Sequence, residues 1–442
     1  MPRNSHVLIE DFLLPTLLFM ALGGMTWAVR GCSGYGAMNG CIFAGVTWGA
    51  AWWFLARDRE GEQSRRYNSG WIVLALAFGT GIAGTRGWMQ WPSLFEGKLL
   101  LDAPHGRWVP IDRSYGFVWQ FISGIPWAGL GACMLAWCGS ARRVGWIGWG
   151  VRIGCGIAGG ALGYLVFISL PDLVLPLHAT MKAEYADFVT NPNLRRLSGD
   201  NRHALEHLGV YLGFLAFELG RREWKNVLLI LTVGLINGAG WAALQNWTWA
   251  APIWPDVAMN WWRCWESSGG LSIGLAYGVA WFLVNRRMGD GERERCWHLT
   301  HATMPNLERW GLYFGLIYGL GWSIKCGLKG YANIYWTEQP EEYWDAKIAL
   351  VAYPAMLALA VLAALWVRAT PRTHDDLRDL FPHAGKVMLV VIVVQNALAQ
   401  MVTGPHSSWT EMAFVVYYVF LMLISAVILW HYQRVRLWEA VG

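Results

Sequence analysis

The chain has 442 residues, of which 55% are hydrophobic and only 15% charged, with a mean hydropathy of +0.30 and a net charge of +5. Soluble domains carry about 25% charged residues. Apolar runs of roughly 18 or more residues recur throughout, the length a helix needs to cross about 30 Å of hydrocarbon. This excludes an ordinary soluble enzyme and reads as a polytopic α-helical membrane protein. No basic tract of nucleic-acid type occurs, so no nucleic-acid partner is expected, and the eight cysteines show no metal or disulfide spacing.

In chain order the apolar segments predict twelve spans, at about 8–30, 35–56, 70–87, 115–138, 145–170, 204–220, 226–248, 266–285, 308–327, 347–368, 385–403 and 411–432. The first is read as a retained span rather than a removed signal peptide. The loops after even-numbered spans are short and basic: Arg57, Arg59, Arg65 and Arg66, then Arg142 and Arg143, then Arg221, Arg222 and Lys225, then Arg286 and Arg287, then Arg368 and Arg372. Basic residues in short loops stay on the cytoplasmic side. Both termini are therefore expected in the cytoplasm, in a cell inner membrane, with the longer loops near 88–114, 171–203, 251–265 and 328–346 outside.

The segment Gly40–Leu55 returns in altered form as Gly269–Val284, so that Gly45 falls on Gly274, Gly49 on Gly278, Ala51 on Ala280, Trp52 on Trp281 and Trp48 on Tyr277. Each copy runs into a charged loop. Weaker matches relate span 1 to 7, span 3 to 9, and span 4 to 10 through the central prolines Pro126 and Pro354. The expected fold class is an all-α polytopic membrane protein of two parallel six-helix repeats. The first half is residues 1–203, its edge reaching to about 225, and the second is 226–442. Transporters built this way hold substrate between the halves near the bilayer midplane.

The loop Arg57-Asp58-Arg59-Glu60-Gly61, followed by Arg65-Arg66, resembles the cytoplasmic signature between spans 2 and 3 of the major facilitator superfamily. Arg286-Arg287-Met288-Gly289 is similar to the degenerate second-half version. The resemblance implies a conformational loop carried by Asp58 and Arg59. The chain departs from the family in having Phe54 four residues before the aspartate, where glycine is usual, and Gln120 rather than arginine in span 4.

Ionisable groups inside hydrocarbon are costly and are functional candidates by default. Arg30, Arg86 and Lys325 end spans 1, 3 and 9 at similar outer depth, where they would draw in an anion or snorkel to headgroups. Arg152 is deeper and needs a partner. Glu218 is expected on the wrong side to supply it, and to form a solvated pair with Arg221 and Arg222 instead. Most of the 31 tryptophans read as an interfacial belt. Trp27, Trp48, Trp241 and Trp322 lie within spans beside glycines, where they line a solute site or pack helices. The substrate-binding candidates are Trp27, Arg30, Asn39, Arg86, Gln120, Arg152, Trp241, Gln245, Trp322 and Lys325.

His203-x-x-Glu206-His207 matches a zinc-protease pattern but lacks a third ligand, so it reads as a polar helix start. No phosphate loop, nucleophile elbow or paired carboxylate is present, and no catalytic residue, metal or cofactor is assigned. The expected function is secondary transport of a small polar solute, a sugar or anionic sugar, by alternating access. Its partners are that solute and membrane lipid. The alternatives are a membrane-embedded transferase for lipid-linked or sugar substrates, using outer acids such as Asp102, Asp112, Asp172, Glu184 and Asp187, or a noncatalytic subunit of a larger membrane complex.

Overall fold

A computed structural model describes residues 8–30, 38–56, 65–84, 91–296, 299, 305–370, 380–401 and 408–438. Among them are twelve helices of at least twelve residues: α1 (Ile9–Arg30), α2 (Met38–Leu55), α3 (Ile72–Ala83), α4 (Ser114–Trp137), α5 (Trp146–Ser169), α6 (Pro192–Gly220), α7 (Trp224–Leu244), α8 (Trp261–Val284), α9 (Pro305–Tyr335), α10 (Glu341–Ala369), α11 (Leu380–Met401) and α12 (Trp409–Trp438). They follow the twelve expected segments in order. Eight of them are long and apolar enough to cross a membrane: α1, α4, α5, α7, α8, α10, α11 and α12. The apolar helices α2 and α3 are shorter. Helix α6 starts well before its expected span, and the added turns carry Arg195, Arg196, Asp200 and Arg202. The protein is a multi-pass α-helical membrane protein.

Six helices close a ring in the order α1, α2, α3, α4, α7, α8, each packed on the next and α8 packed back on α1. Helix α6 rests on α4 and carries α5 with it. Helix α9 lies on α2 and α3, α10 on α9, and α11 and α12 on α1. Helix α10 is outermost, with no residue of its apolar window fully buried. One end of the bundle carries the basic segments after α2, α4, α6 and α8. The other carries a β-hairpin, β1 (Lys98–Asp102) paired antiparallel with β2 (Arg107–Pro110), closed at Gly106 with φ +67°. We call these the basic end and the hairpin end.

Glycine makes the ring tight, because a helix without Cβ atoms lets a neighbouring backbone approach directly. Along the antiparallel α1–α8 seam, a Cβ on Gly270 would strike the Gly23 carbonyl, and Gly274 and Gly278 face the backbones of Phe19, Met20 and Thr16. On α2, Gly45 and Gly49 face Leu76, Ala77 and Val73 of α3. The two copies of the repeat thus keep the same small-residue device and use it on different neighbours. Copy one packs on the helix that follows it, and copy two on the first helix of the chain. Their aromatic positions meet each other at the centre, Trp48 on Tyr277 with ring centroids 5.5 Å apart and Trp52 on Trp281 at 5.1 Å.

Segments on both sides of residues 203–226 contribute to the ring. Helices α7 and α8 are built into the ring against α4 and α1, and among the described residues α8 and α9 do not pack as α2 and α3 do. Side-chain volume matters here: a Cβ added at Gly124 of α4 would come within 2.9 Å of the Gly238 backbone and 3.0 Å of the Trp241 side chain, so the two helices pack this closely only because the position is glycine.

The seam predicts a sharp contrast between two glycines. Gly270→Val places its branch against backbone, which cannot rotate away, and overpacking of this kind costs about 1–3 kcal/mol or more. Fluorescence-detected size exclusion of heated samples should show a melting point lowered by several degrees. Gly154→Val on the outer face of α5, where nothing lies within 4 Å, should melt like wild type.

Candidate functional site

The hairpin-end half of the ring holds a buried charge pair inside a tryptophan cage. Arg30, at the last turn of α1, donates from Nη1 to Glu266 Oε1 of α8 at 2.6 Å. Both side chains are buried, Glu266 completely. The guanidinium carbon lies 4.8 Å from the ring centroid of Trp127 on α4 and 5.4 Å from that of Trp27 on its own helix. Trp241 of α7 meets Trp27 edge-on and Trp127 at a tilt, each at 6.0 Å, and Trp265 edge-on at 4.8 Å. An arginine needs countercharge or π-density when its water is removed, and here it receives both. Cys41 of α2 borders the same guanidinium, and Trp27 lies against the Glu266 carboxylate.

The cage is not fully satisfied. Glu266 Oε2 has no hydrogen-bond partner among the described residues, and neither does the Gln120 side-chain amide at either atom, although Gln120 is fully buried. Gly124 faces Trp241 across the antiparallel α4–α7 seam. One turn back along α4 is Gln120 and one turn on along α7 is Gln245, so the two amides stand at the same level, next to the cage. Asn237, the polar neighbour below, is engaged, donating to Gly124 O at 2.5 Å.

Of the expected binding residues, Trp27, Arg30 and Trp241 meet here, while Gln120 and Gln245 lie one turn from the Gly124–Trp241 contact on their own helices. Trp322 and Lys325 lie elsewhere, on the α9–α10 face. Trp322 stacks near Tyr318 and Tyr353 at 5.9 and 5.8 Å, and Lys325 donates to Asp345 at 2.5 Å. Arg152 is at the basic end. The side chain of Asn39 and all of Arg86, Asp58 and Arg59 lie outside the described residues.

Arg152 corrects the expected pairing. Its Nη2 donates to Glu218 Oε1 at 2.8 Å and to Ser140 Oγ at 3.0 Å, and both members of the ion pair are fully buried. Glu218 is thus neither solvated nor on the wrong side: Arg152 opens the second turn of α5 and Glu218 closes α6, which puts both at one end of an antiparallel hairpin. Trp149, Phe217 and Trp137 surround this guanidinium at 4.7, 4.9 and 5.5 Å. His203 Nδ1 meets Glu206 Oε2 at 2.8 Å, and no group of three metal-ligating side chains forms among the described residues.

Glu266 was missed by the sequence reading. It sits at the edge of an apolar run, after Trp261-Trp262-Arg263-Cys264-Trp265, where an acid reads as a solvated helix start. The signal for it was arithmetic: in an antiparallel pairing set by Gly23 on Gly270, Glu266 arrives opposite Trp27, one turn before Arg30 on α1 and within reach of its long side chain. The tryptophan belt also needs correction, since Trp52, Trp53, Trp91 and Trp265 are core residues.

At the basic end a polar network ties together the chain segments between helices. Arg65 donates to Asn285 O at 2.7 Å and to Asp11 at 3.0 Å, and it bridges to Arg287 as an antiparallel pair. The Tyr67 amide donates to Asn285 Oδ1 at 3.0 Å, and Asn285 Nδ2 returns a bond to Tyr67 O at 3.3 Å. Arg66 donates to Gly139 O at 2.5 Å and to Glu223 at 2.7 Å. Glu223 in turn accepts from the amides of Ala141 and Arg142. Burial pushes the Tyr67 hydroxyl well above the usual tyrosine range, so it stays protonated and donates to Asn226 at 2.7 Å. The segments that end the two copies of the repeat therefore bind each other.

These features define a multi-pass helical membrane protein with a buried charge site in one half of its ring and a hydrogen-bonded closure at the basic end. No protein-family model, no curated protein and no solved structure matches the chain.

Removing one member of a buried pair strands the other, at a cost of about 3–5 kcal/mol. Glu218→Gln should therefore lower the melting point markedly by leaving Arg152 without countercharge. Adding Arg152→Met to it should restore most of the loss, because the new side-chain amide still offers an oxygen to Asn226, which bonds the native carboxylate at 2.8 Å. A double variant as unstable as the single one would show that charge is not the cause.

Proposed function

We propose that this protein is a secondary transporter of a small polar solute, with the Arg30–Glu266 cage as its binding centre. The twelve long helices are read as spans of an inner membrane, with the basic end and both termini in the cytoplasm. Alternating access would open and close the basic-end network around the fixed cage, in the manner the resemblance to the major facilitator superfamily implies.

One observation carries this reading. An arginine and a glutamate lie desolvated inside crossing helices, at the meeting point of α1, α4, α7 and α8. A half-satisfied buried network is less stable than apolar packing, so spare groups within it favour a ligand that completes them. Here a carboxylate oxygen and a whole amide are left over. Spare donors and acceptors beside flat indole faces are what a solute with hydroxyl or carboxylate groups needs.

The outer acids of the transferase reading have other work. Asp112 accepts from the Ser114 amide at 2.8 Å, and Asp187 from Val189 and Thr190 at 3.2 and 3.1 Å, each capping its own turn. Asp102 and Asp172 are bonded to His105 and His178, each at 2.6 Å, with no nucleophile bonded to either pair among the described residues.

The test is counterflow in proteoliposomes, with labelled sugars, sugar acids and small carboxylates. At least one solute should exchange faster than in protein-free vesicles, and Arg30→Ala should slow that exchange by about tenfold or more while the protein still elutes as a single peak. Wild-type flux in the Arg30→Ala protein would sink the assignment of the site.

A further inference from the structure

The cage is electrically neutral because Glu266 occupies Arg30. An anion that takes the Arg30 Nη1 position displaces that carboxylate, and the displaced carboxylate has nowhere to take its charge. The groups that face Glu266 from each packed helix are already committed. On α8, Arg263 donates to Glu411 of α12 at 2.7 Å and lies 4.8 Å from the Phe414 ring. Tyr417 of α12 is bonded to Ser267 Oγ at 2.7 Å. Helix α1 offers Arg30 itself, α2 the Cys41 thiol, α8 the Cys264 thiol, and α7 only the uncharged Trp241 and Gln245. A second negative charge beside an ionised Glu266 would be held by one arginine in a buried site, which electrostatics forbids.

We propose that the site binds a small monoanion together with one proton. The anion's carboxylate takes the Arg30 guanidinium in place of Glu266, and the proton, drawn from solvent, adds to the Glu266 carboxylate. One O–H bond forms, one charge-assisted hydrogen bond is exchanged for another, and the site stays neutral before and after. This rests on reading the cage as a solute site. The preferred anion is a hydroxylated monocarboxylate, sugar acids included: Gln120 holds one unused donor and one unused acceptor for its hydroxyls, and the Trp27 and Trp127 faces take its C–H side. Coupling follows from the geometry, since anion and proton each make room for the other.

The experiment uses the full-length protein in detergent, weakly buffered, with gluconate and lactate as probes and glucose as the neutral control. Wild type should take up about one proton per anion bound, and its affinity should fall about tenfold per pH unit once Glu266 is ionised in the free protein. Glu266→Gln, neutral at every pH, should bind gluconate as tightly as wild type does at low pH, with a flat pH profile and no proton uptake. Glu266→Asp keeps the charge and should keep the proton uptake, which guards against misfolding of the glutamine variant. Arg30→Gln should bind neither anion. Anion binding without proton uptake in wild type, or binding of neither anion at any pH, overturns the proposal. Glucose exchange in vesicles without protons would leave the transporter reading standing and remove this one. Anion-linked proton uptake without flux would do the reverse.

Discussion

A guanidinium carried into a helix bundle loses its water, and at four buried arginines this protein meets that loss in the same way. The charge is laid on an aromatic face and given a carboxylate. Arg30 has Trp27, Trp127 and Glu266, and Arg152 has Trp137, Trp149, Phe217 and Glu218. Arg65 lies 5.1 Å from the Trp281 ring and is paired with Asp11, while Arg263 has Phe414 and Glu411. A ring face is attractive to a cation and costs nothing to desolvate, so it can wall a charge that a second carboxylate would overcompensate. The abundance of tryptophan follows in good part from this requirement rather than from anchoring at lipid headgroups.

Large rings in a narrow bundle must be offset by small neighbours. Gly269 lies against the Trp241 ring, Gly139 against Tyr67, Gly129 against Tyr211 and Gly311 against Trp71. Each pairing brings a helix backbone close to an aromatic face and fixes the helix register at that point. That register is what brings Arg30 within reach of Glu266 and Arg152 within reach of Glu218. The glycines and the caged arginines are therefore one design: removing the small residue shifts the helix, and a shift of one turn separates the charges.

The helices were legible because hydrocarbon demands long apolar runs, and the twelve segments appear in the expected order. The basic alternation between them also holds, gathering Arg65, Arg142, Arg221 and Arg287 at one end of the bundle. Which helix lies beside which was not legible. The repeat of Gly45 and Gly49 at Gly274 and Gly278 correctly marked close-packing faces, but a glycine pair accepts any backbone, so it could not say whether its partner was α3 or α1. The site failed in the sequence for the same reason. Trp27, Arg30, Gln120 and Trp241 were visible singly as polar or flat residues inside spans. Glu266, the residue that gives them meaning, sits 236 positions from Arg30 and becomes its partner only through the α1–α8 seam.

The two ends of the molecule are asymmetric in a way that bears on movement. At the basic end Glu223 serves Arg66 and two amides, and Asn285 exchanges two bonds with the Tyr67 backbone. Such a network has a well-defined closed form and is broken or made as a unit. In the cage the groups are unmatched, with an oxygen of Glu266 and the amide of Gln120 unused. Unmatched buried groups raise the free energy of the closed state and lower the cost of leaving it. On the proposed transporter reading, a hydrogen-bonded network at one end and an unsatisfied centre within the ring would give a bundle whose closed form is held from its edge. Filling the centre would then change the balance between closed and open, which is the minimum that coupling between solute binding and conformational change requires.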